Sequence, residues 1–153
     1  VEVKEGLVEI KERAFYECIS LERIDIPSTV KVIEPLAFAS CLALEEVYLF
    51  DGLEEIMDKA FHGCKILQSI KVPASVRSIG YEAFYDCGSL DYVKLADGIE
   101  TIGVNAFWNC KSLQYIQLPP TVKAIVGVKL EKEGQVLGVM VTAIPTFIFT
   151  STS

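Results

Sequence analysis

The chain has 153 residues, 51% of them apolar, and a formal net charge of -7 with a pI near 4.8. That length fits one ordinary domain, and the apolar share is ample for a packed core, which excludes a disordered chain. The acidic balance excludes a nucleic-acid backbone as the main partner.

The average conceals an asymmetry. Residues 1–58 carry 14 acidic and 5 basic side chains, residues 59–125 carry 5 and 7, and the remainder is neutral. One end of the molecule is therefore acidic and the other mildly basic. No start methionine, basic leader or cleavable apolar segment opens the chain, which begins inside a repeat. It is expected to be a piece of something longer.

The repeat dictates the architecture. Ala-Phe-x-x-Cys-x-x-Leu recurs five times at a step of 23, on Phe15, Phe38, Phe61, Phe84 and Phe107. Taken in chain order, each unit begins with a strand reading Leu-x-x-Ile-x-Ile. Its inward columns are Ile24, Val47, Ile70, Val93, Ile116 and, two residues on, Ile26, Leu49, Val72, Leu95, Leu118. That spacing is strand alternation, with the residue between pointing out. A corner follows, then a short extended piece marked by columns such as Ile33, Ile56 and Ile79. A tight helical piece carrying Ala-Phe ends the unit near Cys. One unit cannot bury these side chains alone, so the units must stack into a solenoid over residues 1–125. At about 4.8 Å per turn the regular stack is roughly 25 Å long.

The corners show a second rhythm. Glu5-Gly6, Asp51-Gly52 and Asp97-Gly98 alternate with Ser28-Thr29, Ala74-Ser75 and Pro120-Thr121, which reads as a duplicated 46-residue pair. Glycine supplies backbone freedom and proline a fixed φ, two solutions to one corner. The acids Glu5, Asp51 and Asp97 would lie about 10 Å apart, too far to share one ion.

The unit Leu-x-x-Ile-x-Ile-Pro-x-x-Val-x-x-Ile-Gly-x-x-Ala-Phe-x-x-Cys-x-x-Leu, clearest from Leu67 to Leu90, resembles the BspA-like (Treponema-type) leucine-rich repeat. The resemblance implies an α/β repeat: a solenoid of 23-residue turns with parallel strands on one face and short helical or 3-10 pieces on the other. It also implies a secreted or cell-surface protein, bacterial in most cases, associated with adhesion and with binding host extracellular proteins. The family has no shared catalytic residues to carry over. The sequence departs from the pattern at Phe50 and Ala96, where Pro is usual, and at Glu34 and Met57, where Gly is usual.

Chemistry is scarce. The structural column Cys18, Cys41, Cys64, Cys87, Cys110 lacks the short Cys or His spacing of a metal site, so no metal or cofactor is expected. Parallel side chains on stacked turns point the same way, which argues against a disulfide ladder and for buried thiols behaving as small hydrophobes. His62, the only histidine, lies outward of Cys64, and no catalytic set converges on it. The chain is read as a non-enzyme. The column of His62 yields an aromatic stripe, Tyr16, His62, Tyr85 and Trp108, which serves either turn-to-turn packing or a partner. The outward strand positions Tyr48, Lys71, Tyr92, Lys94, Tyr115 and Gln117 are the better candidates for ligand binding. Tyrosines interleaved with lysines and amides suit a protein or glycan ligand, against the alternative of an ordinary solvated sheet face.

After Ile125 the register fails. Residues 126–153 read as two or three strands, Val126–Lys132, Val136–Ile144 and Phe147–Phe149, forming a β-rich cap or the start of a following segment. The apolar run Val136–Phe149 is shorter than the roughly 20 residues of a spanning helix and holds Pro145, so membrane insertion is not expected. Uncovered strands there would invite self-association. The expectation is an adhesion-type interaction module. The alternative is a structural spacer or assembly repeat of a larger surface protein.

Overall fold

The computed structural model describes residues 3–113, 115–125, 130–132, 135–137, 141–142 and 148–150. The rest of the expected tail strands lies outside them. Strands alternate between a short and a longer type: β1 (Glu9–Ile10), β2 (Arg23–Asp25), β3 (Val32–Ile33), β4 (Glu46–Tyr48), β5 (Glu55–Ile56), β6 (Ser69–Val72), β7 (Ser78–Ile79), β8 (Tyr92–Leu95), β9 (Thr101–Ile102), β10 (Tyr115–Gln117) and β11 (Ala124–Ile125). The backbone strands β12 (Leu130–Lys132), β13 (Gln135–Leu137), β14 (Val141–Thr142) and β15 (Ile148–Thr150) follow.

The odd strands from β1 to β11 form one parallel ladder, each residue lying beside its counterpart 23 residues on, as in Glu9↔Val32 and Val32↔Glu55. The longer strands do not form one sheet. β2 pairs with β4, while β6, β8 and β10 pair separately, so the ladder is interrupted between β4 and β6. The fold is thus a parallel-strand solenoid with a 23-residue turn, as the spacing predicts. It carries two strand ladders, where the sequence pattern foresaw strands on one face.

The helical or 3-10 pieces do not form; among the described residues the Ala-Phe segments are runs of turns. Two residues per unit sit in the left-handed region, Arg13 and Glu17 in the first, Leu36 and Ser40 in the next, Glu82 and Asp86 further on. A helix requires consecutive right-handed residues, and each left-handed one costs about 1–2 kcal/mol. The compensation is visible in the hydrogen bonds. Alternate N–H groups close local turns, Ala14 to Lys11 O and Tyr16 to Arg13 O. The intervening ones reach the next unit: Arg13 to Pro35 O, Phe15 to Ala37 O and Glu17 to Ala39 O. Donors that a helix would use internally instead build a third inter-turn ladder.

Stacking like on like makes the core. Phe38, Phe61, Phe84 and Phe107 are at most 1% exposed, and successive rings from Phe15 onward are parallel with centroids 5.0–5.3 Å apart. The inward strand columns are buried beside them, and no polar side chain is buried among the described residues.

The 46-residue rhythm has a physical cause. The N–H groups of Gly6, Gly52 and Gly98 donate to the hydroxyls of Thr29, Ser75 and Thr121 on the following turn, at 3.2, 3.0 and 3.0 Å. Glycine is required there by positive φ, and at two of the three corners also by space. A Cβ on Gly52 would lie 2.3 Å from Ser28 O and one on Gly98 2.0 Å from Ala74 O, whereas Gly6 has open surroundings.

Phe61→Ala is expected to lower stability by about 3–5 kcal/mol, because a fully buried ring stacked on both faces leaves a cavity. Phe15→Ala, half-buried with one stacked neighbour, should cost distinctly less in the same denaturant titration. Gly98→Ala should shift the denaturation midpoint downward by more than Gly6→Ala. The positive φ strains both variants, but only the first drives Cβ into backbone.

Candidate functional site

The longer strands carry the outward candidates. Register places Ser69 beside Tyr92 and Tyr92 beside Tyr115, and likewise Lys71 beside Lys94 and Lys94 beside Gln117. Lys71, Tyr92 and Lys94 are thus brought together on one ladder with the backbone of Tyr115 and Gln117, whose side chains lie outside those described. Tyr48 stands apart on the other ladder. It is 42% exposed, with the Arg23 guanidinium 4.5 Å from its ring centroid.

A cavity of about 270 Å³ opens at the interruption, lined by Glu45, Glu46 and Tyr48 on one side and Gln68, Ser69 and Lys71 on the other. Glu45, Glu46, Gln68 and Ser69 were not among the sequence candidates. Nothing in the sequence marks the break that makes a site of them.

Charge is distributed unevenly on this surface. Most basic side chains have a carboxylate on their own or a neighbouring turn: Arg23 with Asp25 and Glu46 at 3.3 and 3.4 Å, Lys31 with Glu54 at 3.4 Å, Lys59 with Glu82 at 3.6 Å and Lys123 with Glu100 at 2.6 Å. Lys11 pairs with Glu9 and Glu34, and Lys65 with Asp86. Among the described residues neither Lys71 nor Lys94 pairs with any acid, although the two are direct neighbours. Gln68 Nε2 donates to Glu45 Oε1 at 2.7 Å, leaving that carboxylate without a cationic partner among the described residues.

The aromatic stripe is discontinuous. His62 and Tyr85 stack at 4.9 Å, but buried Ala39 fills the column between Tyr16 and His62. Trp108 continues the stripe, half-buried. Beneath His62 the carboxylate of Glu82, its side chain 12% exposed, lies 3.9 Å from Nε2 and 3.6 Å from Lys59 Nζ. A hydrogen bond to Glu82 holds the Tyr81 phenol above its usual range. This surface is packed and internally paired, which fits turn-to-turn packing better than an open ridge.

The cysteines are free thiols, buried except for half-buried Cys18. Beyond filling space, each buried one has a polar contact. The thiols of Cys41, Cys64, Cys87 and Cys110 donate to the carbonyls of Phe15, Phe38, Phe61 and Phe84 at 3.0–3.2 Å. Burial pushes Cys41 up to about 11 and Cys110 up to about 12, and raises Cys64 and Cys87 as well. Neutral thiols of this kind are poor nucleophiles and poor metal ligands.

A family model for the BspA-type leucine-rich-repeat region matches residues 8–130 in six copies. Among solved structures, the chain is similar to a leucine-rich-repeat protein of T. pallidum, at 40% identity over 83% of this chain and 62% of that one, with a TM-score of 0.79. It is also similar to the pneumococcal vaccine antigen PcpA, at 26% identity over 84% of this chain and 36% of that one, with a TM-score of 0.69. A leucine-rich cell surface protein of Faecalibacterium prausnitzii matches at 25% identity over 80% of this chain and 41% of that one, with a TM-score of 0.56. The chain thus spans less than two thirds of each of these proteins. No curated protein matches it.

The thiol column predicts an alkaline limit to stability. Folding raises these groups above their ordinary value of 9.0, so the unfolded chain releases protons first. Stability should be independent of the thiols below pH 9 and fall as pH rises from there to about 12. The denaturation midpoint should drop less steeply across that window in Cys64→Ala than in the parent chain. With a thiol reagent at neutral pH, Cys18 should label first and the buried four only on unfolding.

Proposed function

The chain belongs to the BspA-type leucine-rich-repeat family, and on that premise we propose that it is an extracellular interaction module that recognises its partner through the outward face of the longer strands. Relatives described as a cell surface protein and a vaccine antigen support a surface location and a protein-interaction role. The observation that carries the choice of face is the adjacent pair Lys71 and Lys94, uncompensated among the described residues and flanked by Tyr92. An exposed pair of like charges costs stability unless something else uses it. Tyrosine beside it offers a large, rigid contact area with few torsions to freeze.

The tail is read as a cap over the last turn. In support, β14 runs antiparallel to β11 and β15 antiparallel to β10, so the odd-strand ladder and the ladder of β6, β8 and β10 each end on a tail strand. The domain division at 125/126 follows from that reading. The module is read as non-catalytic.

Surface-plasmon binding to a panel of extracellular-matrix proteins and glycans, at low and high salt, tests the proposal. A saturable interaction should weaken by roughly tenfold or more when Lys71, Tyr92 and Lys94 are all replaced by Ala, since truncating central contacts typically costs over about 1 kcal/mol each. His62→Ala should leave it unchanged. Unaltered binding by the triple variant, or no binding by the folded parent chain, would move the assignment to a spacer within a larger surface protein.

A further inference from the structure

We propose that the occupant of this face is an extended polypeptide segment, with an acidic side chain bridging Lys71 and Lys94 and a basic side chain entering the cavity between β4 and β6 toward Glu45. The inference rests on the reading of the strand face as a recognition surface and specifies the chemistry of its partner.

Register is the starting point. Lys71 and Lys94 are direct neighbours on adjacent parallel strands, so their charges stand about one strand spacing, roughly 4.8 Å, apart at the backbone. A carboxylate has two oxygens and can accept from both ammonium groups, which converts a repulsive pair into a charge-assisted clamp. One strand further toward the N-terminus the sign reverses. Glu45 is held only by the neutral amide of Gln68. Glu46 is already matched by Arg23, so Glu45 is the carboxylate left for an incoming cation.

The cavity between these regions suits a particular shape of side chain. Its rim is polar, from Gln68 and Ser69, and it reaches down to Val47, which is 7% exposed. An aliphatic stem ending in a charged head, as in lysine or arginine, matches the Glu45 end of the lining, apolar below and acidic at the edge, with Lys71 three residues beyond Gln68 lining the other end. In an extended segment, side chains two residues apart share a face at roughly 6.6 Å, and Lys71 lines the cavity as well as pairing with Lys94, so the two subsites adjoin. A base and an acid separated by one residue therefore fit both subsites at once.

A polyanionic glycan fits less well. Two lysines supply little counter-charge, and Glu45, Glu46 and Asp91 lie on the same face of a chain whose net charge is -7.

Fluorescence anisotropy with short labelled peptides tests the idea. The cores are Lys-Thr-Glu, Glu-Thr-Glu, Lys-Thr-Lys and Ser-Thr-Ser, with a heparin-derived oligosaccharide as competitor. Lys-Thr-Glu should bind tightest and weaken with salt. The double variant Lys71→Glu/Lys94→Glu should reduce its affinity by roughly tenfold or more and shift preference to Lys-Thr-Lys, and Glu45→Lys should shift preference to Glu-Thr-Glu. Equal binding by all four cores, no saturable binding, or indifference to the double variant overturns the proposal. Tighter binding of the oligosaccharide than of Lys-Thr-Glu also overturns it, by giving the lysine pair to a glycan anion. A protein partner that is lost with Lys71, Tyr92 and Lys94 while no peptide binds would refute the peptide chemistry alone. A partner indifferent to those residues would refute the recognition face itself.

Discussion

Every feature of this molecule depends on one constraint, the hydrogen-bonded stacking of each residue on its counterpart 23 positions away. Parallel ladders fix neighbouring turns at a single strand spacing. Any side chain must then tolerate a near-copy of itself above and below. Phenylalanine meets that demand with parallel rings, and the isoleucine, valine and leucine columns are buried beside them. Cysteine does so by being small enough to fit beneath the turn and polar enough to donate to the carbonyl of the preceding unit. A larger apolar residue would lack that donor, and serine would bring a stronger polar group into a dry column.

The same constraint makes charge expensive to repeat. A column of identical ions would repel along its length, and the outward columns answer by changing sign or type between turns. Arg23 sits beside Glu46, Lys31 beside Glu54 in the corner region, and Lys59 beside Glu82. Lys71 and Lys94 repeat a charge on neighbouring turns, as Glu22 and Glu45 do in the acidic half. Such local conflicts with the stacking pattern concentrate where a protein meets a partner.

Backbone strain is also distributed by the stack. Two left-handed residues in each unit, most of them not glycine, are costly in isolation. They persist because they turn every second N–H toward the next unit, and the resulting ladder joins segments that would otherwise be independent helical turns. At the Gly52 and Gly98 corners glycine also allows the close approach of neighbouring backbone, and the hydroxyl of the next turn secures it. Alternating solutions at the corner are therefore two halves of one contact. That accounts for a pairwise rhythm within a single-unit repeat.

The sequence by itself determined the period, the inward columns and the solenoid, because each of these is a consequence of identity recurring at a fixed step. It also placed Lys71, Tyr92 and Lys94 on the outward strand face, since strand alternation leaves no other direction for them. Three things were decided only by the tertiary structure. The Ala-Phe segments became turns, because whether an N–H bonds within its own unit or to the next depends on the neighbour being there. Within the aromatic column, where Ala39 already breaks the run in the sequence, the structure decided which rings stack, His62 on Tyr85. The cavity beside Glu45 exists because the ladder breaks between β4 and β6, and a break in pairing between two strands is a property of their relative placement that neither strand's residues encode.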